Sequence, residues 1–285
     1  MKEKKNMKPP SGACDCHVHF FGEPSRYPLA PTTPYVPPVR TVEHYRPVMK
    51  RLGLERVVIV QPTGYGSDNR CTMDSVAALD GAARSVVIVT PTTPLDEIAR
   101  LDAAGARGAR FYLLRGTTVS WDMVEAVAHR VADFGWHVQM QFDGKEIPER
   151  AAFLSKLPCP VVIDHIGKFL DPVLPGDPAV QALCRLLETG KFWVKLSEPY
   201  VTSKTGGPIY EDVGAIARVM VKVNPERLVW ASNWPHGDYK NVPTEETLLD
   251  LIWQWVPDEQ QRHRVLVDNP ALLYRFDKEL GAASK

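Results

Sequence analysis

The chain has 285 residues, 44% hydrophobic and 24% charged, and its 34 basic and 34 acidic side chains sum to zero net charge. That composition predicts a folded globular protein of a size normal for one α/β barrel, and it supplies no general electrostatic reason to bind nucleic acid or an anionic membrane. No stretch approaches the roughly 18 apolar residues of a membrane span, and five scattered cysteines, an odd number without a framework, predict reduced thiols and a cytoplasmic setting.

Residues 1–12 are charged with no apolar run behind them, so a flexible arm is expected there rather than a secretory signal, and 13–285 is expected to be one domain. Eight short runs rich in β-branched residues follow: Ala13 to Phe20, Val57 to Gln61, Val86 to Thr90, Gly108 to Leu113, His137 to Phe142, Val161 to His165, Phe192 to Leu196 and Leu228 to Ser232. Most lack polar alternation, as parallel strands buried on both faces do. Helical periodicity fills most of the gaps: Thr72 to Ala83, Leu95 to Ala104, a helix capped by Ser120 and carried by Met123, Val127 and Val131, then Ile147 to Leu157, Ala179 to Glu188, Tyr210 to Val223, Thr244 to Trp255, Gln260 to Val267 and Pro270 to Phe276. Eight strands alternating with helices predict a (β/α)8 TIM-like barrel, with a doubly wound open sheet as the fallback. No dinucleotide glycine fingerprint and no Walker sequence occurs.

Chemistry in such a barrel sits at the C-terminal strand ends. Strand one ends in Asp15-Cys16-His17-Val18-His19, and two histidines two apart on a strand point to the same side. Cys14 and Cys16 are read as facing away from the histidines or packing as small hydrophobes, not as metal ligands. Strand four offers Arg110 and then Arg115, strand five Gln141 and Asp143, strand six His165 with Lys168 beyond it, and strand eight Asn233 with His236 beyond it. Polar groups recurring at one end of several strands make a site pattern, whereas His44, His129, His137 and His263 read as structural or solvated.

With GACDCHVHFFG, PYVPP, VVIVQPTGYGSDN, GARGARF, VVIDHIGK, LVWASNWPH and DNPALLY running from end to end, the sequence resembles the amidohydrolase superfamily, and within it the branch of the 2-pyrone-4,6-dicarboxylate lactonases. The resemblance implies a distorted barrel of the amidohydrolase type and, for this branch, catalysis without a metal or other cofactor. It assigns His17, His19 and His165 to the carbonyl and Tyr35 and Arg110 to the substrate. Five departures stand out, three of them among the cations: a second arginine falls at or beside Arg115, a third cation becomes Lys168, and a fourth falls at Val201. The strand-five tyrosine becomes Gln141, and the strand-eight Asp that activates water becomes Asn233. Fewer cations suit a lactone with one carboxylate and several hydroxyls, which Gln141, Tyr35, Ser197 and Asn233 can hydrogen-bond.

Asn has no basic lone pair near neutral pH, so the base contribution of about 10²–10⁴-fold is lost. A hydroxyl of the substrate held beside its own carbonyl needs less activation, because effective molarities reach about 10⁵ M or more. The branch resemblance therefore implies a sugar-acid lactone isomerase, converting D-galactaro-1,5-lactone to the 1,4-lactone by internal acyl transfer. Asn233 would orient the hydroxyl, the three histidines hold the oxyanion, Arg110 with Lys168 or Arg115 clamp the carboxylate, His236 contact substrate, and His165 or His17 carry the proton. The rivals are a lactonase of a sugar-acid or muconolactone type with His236 or Asp238 as base, a non-catalytic binder, and a zinc-dependent hydrolase.

Overall fold

The computed structural model of the chain describes residues 8–31, 33–114, 118–237, 239 and 241–276. Eight parallel strands follow one another in chain order around a single sheet: β1 (Cys14–Val18), β2 (Arg56–Val60), β3 (Ala83–Val87), β4 (Ala106–Tyr112), β5 (His137–Gln141), β6 (Val161–Ile163), β7 (Phe192–Leu196) and β8 (Leu228–Trp230). Backbone bonds just past β8 draw the ring together, with Asn233 N–H donating to the His17 carbonyl at 3.0 Å and His19 N–H to the Trp234 carbonyl at 2.8 Å. The architecture is the (β/α)8 barrel that the alternation of elements predicts, not an open sheet.

The helices are α1 (Val42–Leu52), α2 (Arg70–Ala77), α3 (Leu95–Ala103), α4 (Trp121–Ala132), α5 (Ile147–Lys156), α6 (Pro178–Glu188), α7 (Pro199–Thr202), α8 (Glu211–Val223), α9 (Glu245–Trp255), α10 (Glu259–His263) and α11 (Asn269–Leu273). The sequence reading omits α1, which carries Pro47 inside it. Val42, Tyr45, Val48, Met49 and Leu52 are nevertheless buried on one face, while Pro47 and Glu43 are exposed, so the carbonyl that Pro47 cannot satisfy faces water. Ser120 stands at the N-terminus of α4 as expected, but its hydroxyl donates to the Asp122 carboxylate and makes no cap.

Strand β3 lies three residues earlier than the apolar run suggested. Val57 to Val60 pair with Ala83 to Val86, and Asn69 then takes over the backbone of Ile88, accepting from its N–H at 3.0 Å and donating to its carbonyl at 2.8 Å. The expected helix to Ala83 correspondingly stops at Ala77.

A second correction concerns β1. Between Asp15 and Val18 its register against β2 slips, so three steps on β1 match two on β2. Such a bulge breaks strict alternation. Cys14 and Cys16 pack with Val58, Val60, Val162, Trp193 and Val229 in the barrel interior, above a floor of Leu273, Tyr274 and Phe276. Val18 joins the outer layer between strands and helices, and Asp15 accepts from the Tyr45 hydroxyl of α1 at 2.8 Å. The cysteines therefore do not face away from the site; they are the small hydrophobes on which it rests.

Candidate active site

The strand ends converge on a cavity of about 390 Å³. His19, Tyr35, Arg110, Gln141, His165, Asn233 and His236 line it, together with Thr63, Tyr112, Glu198 and Tyr239. His17 lies buried beside the lining, its ring 4.8 Å from that of His19 and 4.9 Å from that of His165. Arg115 and Asp238 lie outside the described residues.

Hydrogen bonds determine which histidine nitrogens carry protons. His19 Nδ1 is 2.7 Å from the Val60 carbonyl, which can only accept, so that nitrogen holds the proton and Nε2 is bare. His17 Nε2, 3.1 Å from His19 Nε2, must then be the donor of that pair. Its own Nδ1 is left bare and faces the Lys195 ammonium at 3.3 Å. Lys195 also donates to the Gln139 side-chain oxygen at 2.6 Å and the Cys16 carbonyl at 2.9 Å, so three acceptors surround three protons. His165 Nδ1 contacts the Ser197 hydroxyl at 2.9 Å, which leaves its Nε2–H for the cavity when Ser197 donates. Burial pushes the pKa values of His17 and His165 well below the ordinary range and that of His19 down to about 3, with nearby cations adding to the shift. His165 therefore offers a neutral N–H donor to the cavity, while the N–H of His17 is taken by His19 Nε2.

On the opposite wall, Asn233 donates from Nδ2 to Glu198 Oε1 at 2.8 Å and to the Tyr200 hydroxyl at 3.0 Å. A carboxylate only accepts, so the amide nitrogen must face Glu198, and Oδ1 remains as the free acceptor. Glu198 is 5% exposed, its other oxygen pairs with Lys168, and that oxygen lies 3.7 Å from His165 Nε2. Burial raises the Glu198 pKa, and Lys168 opposes the rise. Lys168 thus points at Glu198 and is absent from the cavity lining. His236 is held from both sides, Nδ1 at 3.1 Å from the Tyr200 hydroxyl and Nε2 at 3.3 Å from Glu245.

The third wall carries a cation. Arg110 gives one N–H to the Gln61 carbonyl, and its Nε has no partner among the described residues. It is the cation among the described lining residues, with Gln141 beside it and the Tyr35 hydroxyl 3.4 Å from Thr63.

Sequence reasoning passed over Glu198, Lys195, Asp164 and Tyr200. Two signals were available: a lysine inside the apolar strand Phe192–Leu196, and the carboxylate two residues past its end. Charged residues are almost never fully buried unless paired.

His17, Asp164 and His165 offer ligand atoms within 4.8 Å of one another, the arrangement in which a divalent metal would be sought. The donor chemistry does not fit one. Arg110, Lys168 and Lys195 already outnumber Asp164 and Glu198 around the neutral imidazoles, the Lys195 ammonium lies 3.6 Å from Asp164 Oδ1, and strand eight supplies an amide. A dication would enter a site that is already positive.

A parallel barrel with a histidine pair on strand one, a third histidine on strand six and a polar strand-eight end defines a class of barrel enzymes. The chain belongs to the amidohydrolase family, whose sequence profile matches residues 14–276. It is 37% identical over 272 residues to D-galactarolactone isomerase of Agrobacterium fabrum, covering 94% of this chain and 92% of that one. It is 33% identical over 282 residues to a 2-pyrone-4,6-dicarboxylate hydrolase of Comamonas testosteroni, covering 95% and 92%. An apo crystal structure of an Agrobacterium tumefaciens protein, 37% identical, superposes with a TM-score of 0.90 over 95% of this chain and 98% of that one.

Proposed function

We propose that the protein is an intramolecular lactone isomerase that converts D-galactaro-1,5-lactone to D-galactaro-1,4-lactone without a metal, as an enzyme of galacturonate catabolism in the cytoplasm. Likeness to the Agrobacterium isomerase supports the substrate. The observation that carries the reaction type is the end of strand eight: Asn233 commits both amide hydrogens to Glu198 and Tyr200 and offers the cavity a neutral acceptor. Such a group orients a hydroxyl but does not generate hydroxide.

The lactone carbonyl accepts from the N–H of His165 and draws the N–H of His17 away from His19, each worth about 3 kcal/mol once charge develops on the oxygen. Arg110 takes the free carboxylate, and Gln141 and Tyr35 hydrogen-bond ring hydroxyls. The attacking hydroxyl donates to Asn233 Oδ1. Its oxygen adds to the carbonyl, the tetrahedral oxyanion forms between the two imidazoles, and the old ring oxygen leaves. The partner implied is this small carboxylated lactone alone, with no nucleic acid.

Hydrolysis is the second reading, favoured by the Glu198 carboxylate in the cavity wall. NMR of chelator-treated protein with fresh 1,5-lactone separates the two. The 1,4-lactone rising faster than in an enzyme-free control supports isomerisation, and galactarate rising instead refutes it.

A further inference from the structure

The acyl transfer leaves one requirement unmet: a proton must pass from the attacking hydroxyl to the departing one. The histidines are poorly suited to carry it. His19 already accepts from His17 at its bare nitrogen and has its pKa near 3, while His17 and His165 are neutral donors whose protons serve the oxyanion. His236 has both ring nitrogens engaged by Tyr200 and Glu245.

Glu198 differs on each count. It is the one acidic side chain among the described lining residues. One oxygen touches the amide that orients the attacking hydroxyl, at 2.8 Å, and the other lies 3.7 Å from the imidazole that faces the carbonyl. Its carboxylate therefore spans the two ends of the reaction. Lys168 and Asn233 use two of its roughly four acceptor positions, leaving capacity for a substrate hydroxyl.

We propose that Glu198 is the catalytic proton carrier: the attacking hydroxyl turns its O–H from Asn233 Oδ1 to the neighbouring Glu198 carboxylate, gives up the proton there, and Glu198 returns it to the departing ring oxygen. In the first half, the O–H bond breaks as the new C–O bond forms, Glu198 becomes the acid, and the negative charge moves to the carbonyl oxygen between His17 and His165. In the second half, the carbonyl re-forms, the old ring C–O bond breaks, and the Glu198 proton goes to the leaving oxygen. No water, oxidant or reductant is consumed, and the carboxylate is regenerated. Burial, which raises the Glu198 pKa, suits a group that must both accept and give a proton. Lys168, paired with one carboxylate oxygen, favours the ionised form and is a positioning residue. The same geometry explains Asn233: an Asp there would set a second carboxylate against the first.

The inference rests on the isomerase reading, and the tests separate the two. Product identity from the wild-type protein decides isomerisation or hydrolysis, whereas the Glu198 tests follow the loss of 1,5-lactone whatever the product. Glu198→Gln is expected to lower kcat by about 10²–10⁴-fold with KM changed only a few-fold. Glu198→Ala is expected to regain activity with added formate, which can occupy the space and accept the proton. The wild-type kcat/KM should fall on acidification through a limb above the ordinary glutamate value, and Glu198→Gln should lack that limb. Retention of kcat within tenfold in Glu198→Gln, or an unchanged acid limb, overturns the proposal. The wild-type profile is decisive even where a variant fails to fold, since a rate flat down to pH 4 removes Glu198 as the base.

Discussion

The two sides of the cavity are built differently. Arg110 and Gln141 project from β4 and β5, which pair in unbroken register from Gly108 opposite His137 to Tyr112 opposite Gln141. On the other side, His165, Ile166, Lys168, Glu198, Asn233 and His236, just past β6, β7 and β8, all have positive φ between 48° and 72°. Left-handed backbone at a non-glycine residue costs of order 1–3 kcal/mol and survives where packing over-determines it. The wall proposed to bind thus uses the regular ladder, and the wall proposed to react uses turned-out backbone that brings a carboxylate, an amide and an imidazole together. A ladder holds a cation where a carboxylate can find it, but aiming three side chains from neighbouring strands at one point requires leaving the ladder.

The largest expected effect comes from breaking the reactive wall. Asn233→Asp places like charges at the 2.8 Å contact with Glu198, and two such carboxylates share one proton. Isomerisation near neutral pH should fall by about 10²-fold or more. Pairing it with Glu198→Gln restores one amide and one carboxylate in exchanged positions, and NMR of that double variant should show galactarate as product, because the carboxylate now stands on strand eight. Full isomerase activity in Asn233→Asp would refute the paired reading of this wall.

Breaking the binding wall should be milder and of a different kind. Arg110→Met keeps the buried stem and removes the charge. Steady-state kinetics should show KM raised roughly 10- to 150-fold, the equivalent of about 1.5–3 kcal/mol for hydrogen bonds to a charged group, with kcat less affected. A loss confined to kcat would place Arg110 on the reactive side.

An effect of another kind falls on stability, and it depends on pH. His17, His19, His137 and His165 are buried with pKa values below the ordinary 6.5, those of His19 and His137 near 3. The unfolded chain binds these four protons first, so stability is complete above about pH 6.5 and is lost as pH falls below it, by about 1.4 kcal/mol per pH unit for each proton. Asp15 and Glu198, whose pKa values burial raises, act in the opposite sense, but they are two against four. Thermal melts should show Tm falling from pH 6.5 to 5, and a Tm that is flat or rising over that interval would contradict neutral burial of the imidazoles.

Much of this division was legible before any coordinates. Seven of the expected site residues (Tyr35, His19, Arg110, Gln141, His165, Asn233 and His236) line one cavity, because a parallel barrel gathers its strand ends and the strands could be read from apolar runs. What escaped depended on tertiary detail. The β1 bulge is a matter of register, which composition does not show. Strand β3 was misplaced because Asn69 caps the ladder from a distant loop. Lys168 was expected on the substrate and lies on Glu198, a pairing between two strand ends 30 residues apart. Glu198 itself was hidden by its left-handed backbone, which turns it inward from a position that reads as loop.

The most direct test of the account is the fate of D-galactaro-1,5-lactone with wild-type, chelator-treated protein, followed by NMR in ¹⁸O-labelled water. The account predicts accelerated 1,4-lactone with no label in its carbonyl or ring oxygen and no accelerated galactarate. Labelled galactarate formed faster than in the enzyme-free control would mean that Glu198 activates water and that Asn233 has not turned the scaffold from hydrolysis to isomerisation.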